Sequence, residues 1–198
     1  MKKALIILLG ATILLGCGSS RKVTRLESDT VTDLSGKWND TDSRLVAEEM
    51  ILDCLSRPWI MDFVAVTGTK PVVTIGTVRN LSNEHISTET FTTDMERELI
   101  NSGQVRFVAS RDQRQEMRQE RGEQQEYASD ETVKRMAEEI GSDFLVQGSI
   151  KTIVDQIKGT KVVYYQTDLE MINVESNEKV WIGSKKIKKE ISKKSTKW

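Results

Sequence analysis

Histidine is almost missing from this 198-residue chain: His85 stands alone. With no second histidine and no cysteine beside it, a zinc site has no donor set. Cysteine is limited to Cys17 and Cys54, and proline to Pro58 and Pro71. No excess of positive charge exists either, since 29 Lys and Arg face 30 Asp and Glu, which argues against a nucleic-acid binder. There is no G-x-S-x-G elbow, P-loop or dinucleotide fingerprint, so no cofactor is expected. Carboxylates are plentiful, and two of them could in principle form a glycosidase pair. They cluster, however, on segments that read as solvated helices, and no placed acid and base can be picked out.

The N-terminus supplies what the rest lacks. Lys2 and Lys3 precede a run from Ala4 to Leu15 that is apolar apart from Gly10 and Thr12. The run is too short to span a bilayer but has the length and charge of a signal peptide. Leu14-Leu15-Gly16-Cys17 then reads as a lipobox, predicting cleavage after Gly16 and lipid chains, palmitate among them, on Cys17. Two or three acyl chains make an anchor that one chain cannot. An ordinary signal peptide with an incidental cysteine is the blander alternative. By resemblance to sorted lipoproteins, Gly18 after the cysteine points to the periplasmic face of the outer membrane. The expected division is therefore a signal peptide over 1–16, a lipidated N-terminus and flexible tether over 17–36, and one globular domain over 37–198. With Cys17 lipidated, Cys54 has no partner for a disulfide and should be buried.

Within the domain, Val46, Ala47, Met50, Ile51, Cys54 and Leu55 recur at helical spacing, predicting a helix from about Asp42 to Arg57 that Pro58 stops. Trp59 to Val66 should pack as a short second helix. Val72–Val78 is a β-branched run that reads as a buried strand, followed by a polar loop from Arg79 to Ser87. Phe91, Met95 and Leu99 predict a helix closed by Gly103, and Val105–Ala109 a second strand. A helix begins near Arg111, and Ser129 can cap another whose core face is Val133, Met136, Ala137 and Ile140. Strands Phe144–Val154, Lys161–Val174 and Lys179–Ile187, separated by turns at Gly159 and Asn177, predict consecutive hairpins. In the middle strand, Val163, Tyr165, Thr167, Leu169 and Met171 share one face. The fold class is α/β, a single domain with helices packed on a mixed or mostly antiparallel sheet.

Two charged segments suggest a binding surface. Arg111, Arg114, Arg118 and Arg121 fall in one stripe of a helix turning 100° per residue, beside an acidic stripe of Asp112, Glu116, Glu120 and Glu123. Close like charges cost roughly 0.2–0.5 kcal/mol per pair on an isolated helix. An acidic partner, other parts of the domain or plain solvation could offset that cost. The loop residues Arg79, Asn80, Asn83 and His85 form the second candidate, because polar loops on a rigid scaffold often carry recognition. The C-terminal lysines, Lys185 to Lys197, could touch anionic glycan or lipid, but read rather as protection of an edge strand.

Longer polar blocks carry a resemblance. They are Gly36-Lys37-Trp38-Asn39-Asp40-Thr41-Asp42-Ser43, Lys70-Pro71-Val72-Val73, Gly76-Thr77-Val78-Arg79-Asn80 and Glu84-His85-Ile86 with Thr88-Glu89-Thr90-Phe91. Ile100-Asn101-Ser102-Gly103, Arg106-Phe107-Val108-Ala109-Ser110-Arg111 and Asn177-Glu178-Lys179-Val180-Trp181-Ile182-Gly183 continue the series. Over most of residues 36–189 the chain resembles the LpoB-type activators of penicillin-binding proteins. The resemblance implies a fold like the N-terminal domain of TolB and no enzymatic activity. It also implies a class A penicillin-binding protein as the partner, stimulated in peptidoglycan synthesis and cell-wall biogenesis. The tether departs from the best-known members, being short and free of proline. Two rivals follow from the same residues. A subunit of a curli-type secretion assembly would need lipid-facing hairpins, for which Lys161–Ile187 is too charged. A cell-wall hydrolase would need a catalytic pair that the chain does not display.

Overall fold

The computed structural model describes residues 22–27, 30–125 and 141–192. Residues 22–27 and 30 carry no regular secondary structure and belong to a unit, Met1–Thr30, separate from Val31–Trp198. The second unit begins with α1 (Asp40–Leu55), α2 (Trp59–Thr67), β1 (Val72–Leu81) and α3 (Thr88–Asn101). It continues with β2 (Arg106–Phe107), α4 (Arg111–Gln125), β3 (Phe144–Ile157), β4 (Thr160–Asn173) and β5 (Lys179–Ser192). The expected helix capped by Ser129, Cys17 and the lysines beyond Ser192 lie outside the described residues.

The strands form one five-stranded mixed sheet in the order β2-β1-β3-β4-β5. β1 runs parallel to both β2 and β3, while β3, β4 and β5 form an antiparallel meander. Directly opposed residues in such pairs share a face. The inner face therefore carries Val146 opposite Met171, Ile150 opposite Thr167, and Tyr165 opposite Ile187. The alternation expected in β4 is present: Val163, Tyr165, Thr167, Leu169 and Met171 are all buried. Helices α1 and α3 complete the core with Val46, Ala47, Met50, Ile51, Cys54, Phe91, Met95 and Leu99. Gly148 is required where β3 meets β4, because an added Cβ would overlap the Asp168 carbonyl oxygen.

Several features differ from the sequence reading, and β3 and β5 run on to Ile157 and Ser192. β1 extends through Arg79, Asn80 and Leu81, so the loop begins only at Ser82; pairing with β3 carries the strand past its apolar run, across a register shift between Ile75 and Val78. The second strand shrinks to Arg106–Phe107. α2 forms as expected but buries only Trp59; Val66 is 87% and Met61 70% exposed. Met61, Val64 and Val66 therefore face outward, while Ile60 and Phe63 pack partly against the core.

Candidate functional site

Much of the polar sequence before α1 is used internally. Asn39 and Asp42 make a reciprocal cap, each accepting a backbone N–H of the other at 3.0 Å. The Trp38 indole donates to Ser43 Oγ at 2.8 Å, and its ring meets Phe91 and Tyr165 edge-on. Glu84 Oε2 accepts from the Trp38 backbone N–H at 3.2 Å and from the Tyr165 hydroxyl at 2.8 Å. Burial first, and then that carboxylate, push the Tyr165 phenol well above its ordinary pKa. Lys189 Nζ closes the latch, donating to Asp42 Oδ2 at 2.6 Å and Asp33 Oδ1 at 2.7 Å. Burial opposes its charge, but the two carboxylates outweigh it and raise its pKa. Gly36, at φ +67°, sits where a Cβ would overlap Ile191. Residues 31–36, placed in the tether by sequence, are thus bonded to the domain.

The outer face of the sheet holds an open groove of about 530 Å³ lined by Thr77, Arg79, Gln147, Lys151, Asp168 and Glu170, among others. Asp168 accepts from Lys151 at 3.0 Å, Gln166 at 2.8 Å and Ser184 at 2.8 Å. Burial raises its pKa, but these donors together hold it below the usual value. Glu170 is held low by Lys179 at 2.6 Å and by Gln147 at 2.8 Å. Among the described residues Arg79 has no such partner.

The eight candidate residues separate in space and in role. Arg79 lines the groove, and no residue of α4 does. Asn80 is structural: its amide donates to the Glu84 carbonyl at 2.8 Å and accepts from Ser82, which shapes the loop. Asn83 and His85 are exposed, the Asn83 backbone N–H reaching the Thr152 hydroxyl. On α4, Arg111 is exposed, while Arg114 is half-buried and donates to the Ala109 carbonyl at 3.0 Å. Arg118 and Arg121 each engage an interaction partner. The stripe is therefore partly used by the domain itself. No cluster of three or more metal-binding side chains occurs among the described residues.

A surface that the sequence reading missed lies at α2. Trp59, Phe63, Val66, Phe144 and Val180 line a groove of about 690 Å³ rimmed by Asp62, Glu175 and Glu178. Phe144 stacks edge-on against both Trp59, at 4.9 Å, and Phe63, at 5.4 Å. Hydrophobicity of the segment was legible, but its exposure depends on where α1 turns at Pro58 and could not be read from spacing.

These features define an α/β domain with helices on one sheet face, a polar groove on the other and an apolar surface at one end. The chain belongs to the family of the peptidoglycan-synthase activator LpoB, whose model matches residues 42–187. A search of curated proteins finds no match. Among solved structures, the LpoB C-terminal domain from Salmonella enterica is 16% identical with a TM-score of 0.43, the match covering 74% of this chain and 98% of that one. The LpoB C-terminal domain from Escherichia coli is also 16% identical, with a TM-score of 0.39 and the same coverages of 74% and 98%. Lipoprotein GNA1162 from Neisseria meningitidis is 11% identical with a TM-score of 0.39, covering 65% of this chain and 88% of its own.

Proposed function

We propose that this chain is an outer-membrane lipoprotein, anchored through Cys17, that binds the periplasmic region of a class A penicillin-binding protein and stimulates its cross-linking activity. The match of the activator family over residues 42–187 carries the reading. The lipobox at Leu14–Cys17 supports the anchor. A role without chemistry of its own fits the groove carboxylates. A general acid needs a raised pKa, whereas Asp168 and Glu170 are held low by their donors.

An activator shifts its partner only by binding the active state more tightly than the inactive one. Protein interfaces favour an apolar centre with a polar rim. The α2 surface has that form, and its carboxylate rim suits a partner patch of apolar and basic residues. Arg79, with Arg111 to Arg121, supplies the charged candidates for steering association, and His85 is a polar one beside them. The test measures the affinity of the synthase's periplasmic region for wild type and three variants. Val66→Ser should weaken binding by about tenfold through lost apolar burial. Arg79→Glu and Arg114→Glu/Arg118→Glu should slow association, most visibly at low salt. Normal binding by all three variants would reject these surfaces. Failure of the wild type to bind any class A synthase would reject the activator reading.

A further inference from the structure

The antiparallel meander outruns the rest of the sheet. Pairing of β1 with β3 ends at Leu81 and Lys151, whereas β3 and β4 remain paired to Ile157 and Thr160. Beyond that limit Ile153 and Val154 are exposed, and Ile157 is 76% exposed. The segment before α1 reaches the same end. Asp33 pairs with Lys189, which lies opposite Val163, itself opposite Val154; Gly36 packs on Ile191, opposite Lys161. Val31 and Leu34 therefore project at this end as well, with Leu34 94% exposed. Apart from the mutually paired Lys189, Asp33 and Asp42, the charged side chains here include Lys158 in the turn, Lys161, and Lys188 across from Tyr164, against Asp155 and Glu190.

We propose that this end of the sheet is a bilayer-docking surface, with the Ile153–Ile157 hairpin and Leu34 at the acyl boundary and the lysines among anionic headgroups. The proposal rests on the reading of Cys17 as the lipidated residue. The roughly 14 residues from Cys17 to Val31 span at most about 50 Å. The anchor thus delivers this particular end to the lipid at high effective concentration. Exposed apolar side chains interspersed with lysine match an interface whose outer layer is charged and whose next layer is hydrocarbon. The α2 surface has the opposite rim charge and lies at the other end of the strands, beside the β4–β5 turn.

The test uses the chain from Gly18 onward, which lacks the anchor but keeps the whole core, since that core lies within residues 38–191. Vesicles of phosphatidylethanolamine with phosphatidylglycerol should co-sediment it, and vesicles of phosphatidylcholine alone should do so less. Ile153→Ser/Ile157→Ser should weaken that binding by about tenfold or more, and Lys158→Glu/Lys161→Glu should weaken it at low salt. Both pairs are at the surface, and an unchanged thermal midpoint confirms that the fold is kept. Hydrogen exchange over residues 153–162 should slow on vesicle addition in the wild type. Equal sedimentation of wild type and the isoleucine variant, or none by the wild type, overturns the proposal. Cell fractionation of Cys17→Ser reads the anchor separately, so its failure is distinct from failure of the docking surface.

Discussion

Lys189 shows how much a single side chain of an edge strand can carry. Its ammonium is held between Asp42 and Asp33, and both it and Asp42 are about nine-tenths buried. Removing one member of such a group leaves charge buried without compensation. Lys189→Met should therefore cost about 3 kcal/mol of stability, read from urea unfolding. Because the folded pKa is raised, the stabilisation is full below about pH 10.4, the ordinary lysine value, and is lost as pH rises through the folded one. Cys54 makes a second prediction. Burial pushes its thiol up to about 12, and the Trp59 indole donates to the Cys54 backbone carbonyl at 2.8 Å. In the chain from Gly18 onward, iodoacetamide at pH 8 should leave Cys54 unmodified until denaturant opens the core. Rapid labelling of the native protein would contradict the packing.

At the scale of elements, Gly148 is the point at which β3 can be tested. Gly148→Ala forces a Cβ against the β4 backbone, and overpacking of this kind costs about 1–3 kcal/mol. A thermal midpoint unchanged by that substitution would show that the strands are not this close. By contrast, Met61→Ser/Val66→Ser on exposed α2 should change stability by no more than about 0.5 kcal/mol. The helices and the β3–β4–β5 meander were legible because period and burial agree in them: Val46 to Leu55 repeats at helical spacing, and Val163 to Met171 alternates. β1 beyond Val78 was not, since Arg79, Asn80 and Leu81 are in the strand through pairing with β3 rather than through apolar pattern. Of the candidate residues, Arg79, His85 and Arg111 are exposed, as their polar character suggests, although Arg79 lies in β1 rather than in the loop. The role of Asn80 in shaping its own loop, and the Glu84–Tyr165 bond across 81 positions of sequence, depend on tertiary contacts that spacing does not encode.

Across the whole molecule, several carboxylates are held in their charged form by the fold. Asp53 is lowered chiefly by the Trp181 indole, which donates to it at 2.8 Å, and then by Arg57. Glu170 and Asp168 are lowered by their own donors. Depressed folded values mean stability that is present above about pH 4.3 and lost as pH falls through the folded pKa values. The urea midpoint should stay nearly level from about pH 7 to pH 5 and then drop below about pH 4. A midpoint that rises on acidification would reverse the sign of all three shifts. At this scale the molecule also has two distinct ends. The hairpin tip and the segment from Val31 lie at one end, and the α2 surface with its carboxylate rim lies at the other.

The most direct measurement is the cross-linking rate of a purified class A penicillin-binding protein as the chain from Gly18 onward is added. The rate should rise and saturate with concentration, and Val66→Ser should move saturation to higher concentration, while the chain alone leaves peptidoglycan unaltered. A synthase rate unchanged at every concentration, or turnover of peptidoglycan by the chain alone, would contradict the proposed role of a non-catalytic activator.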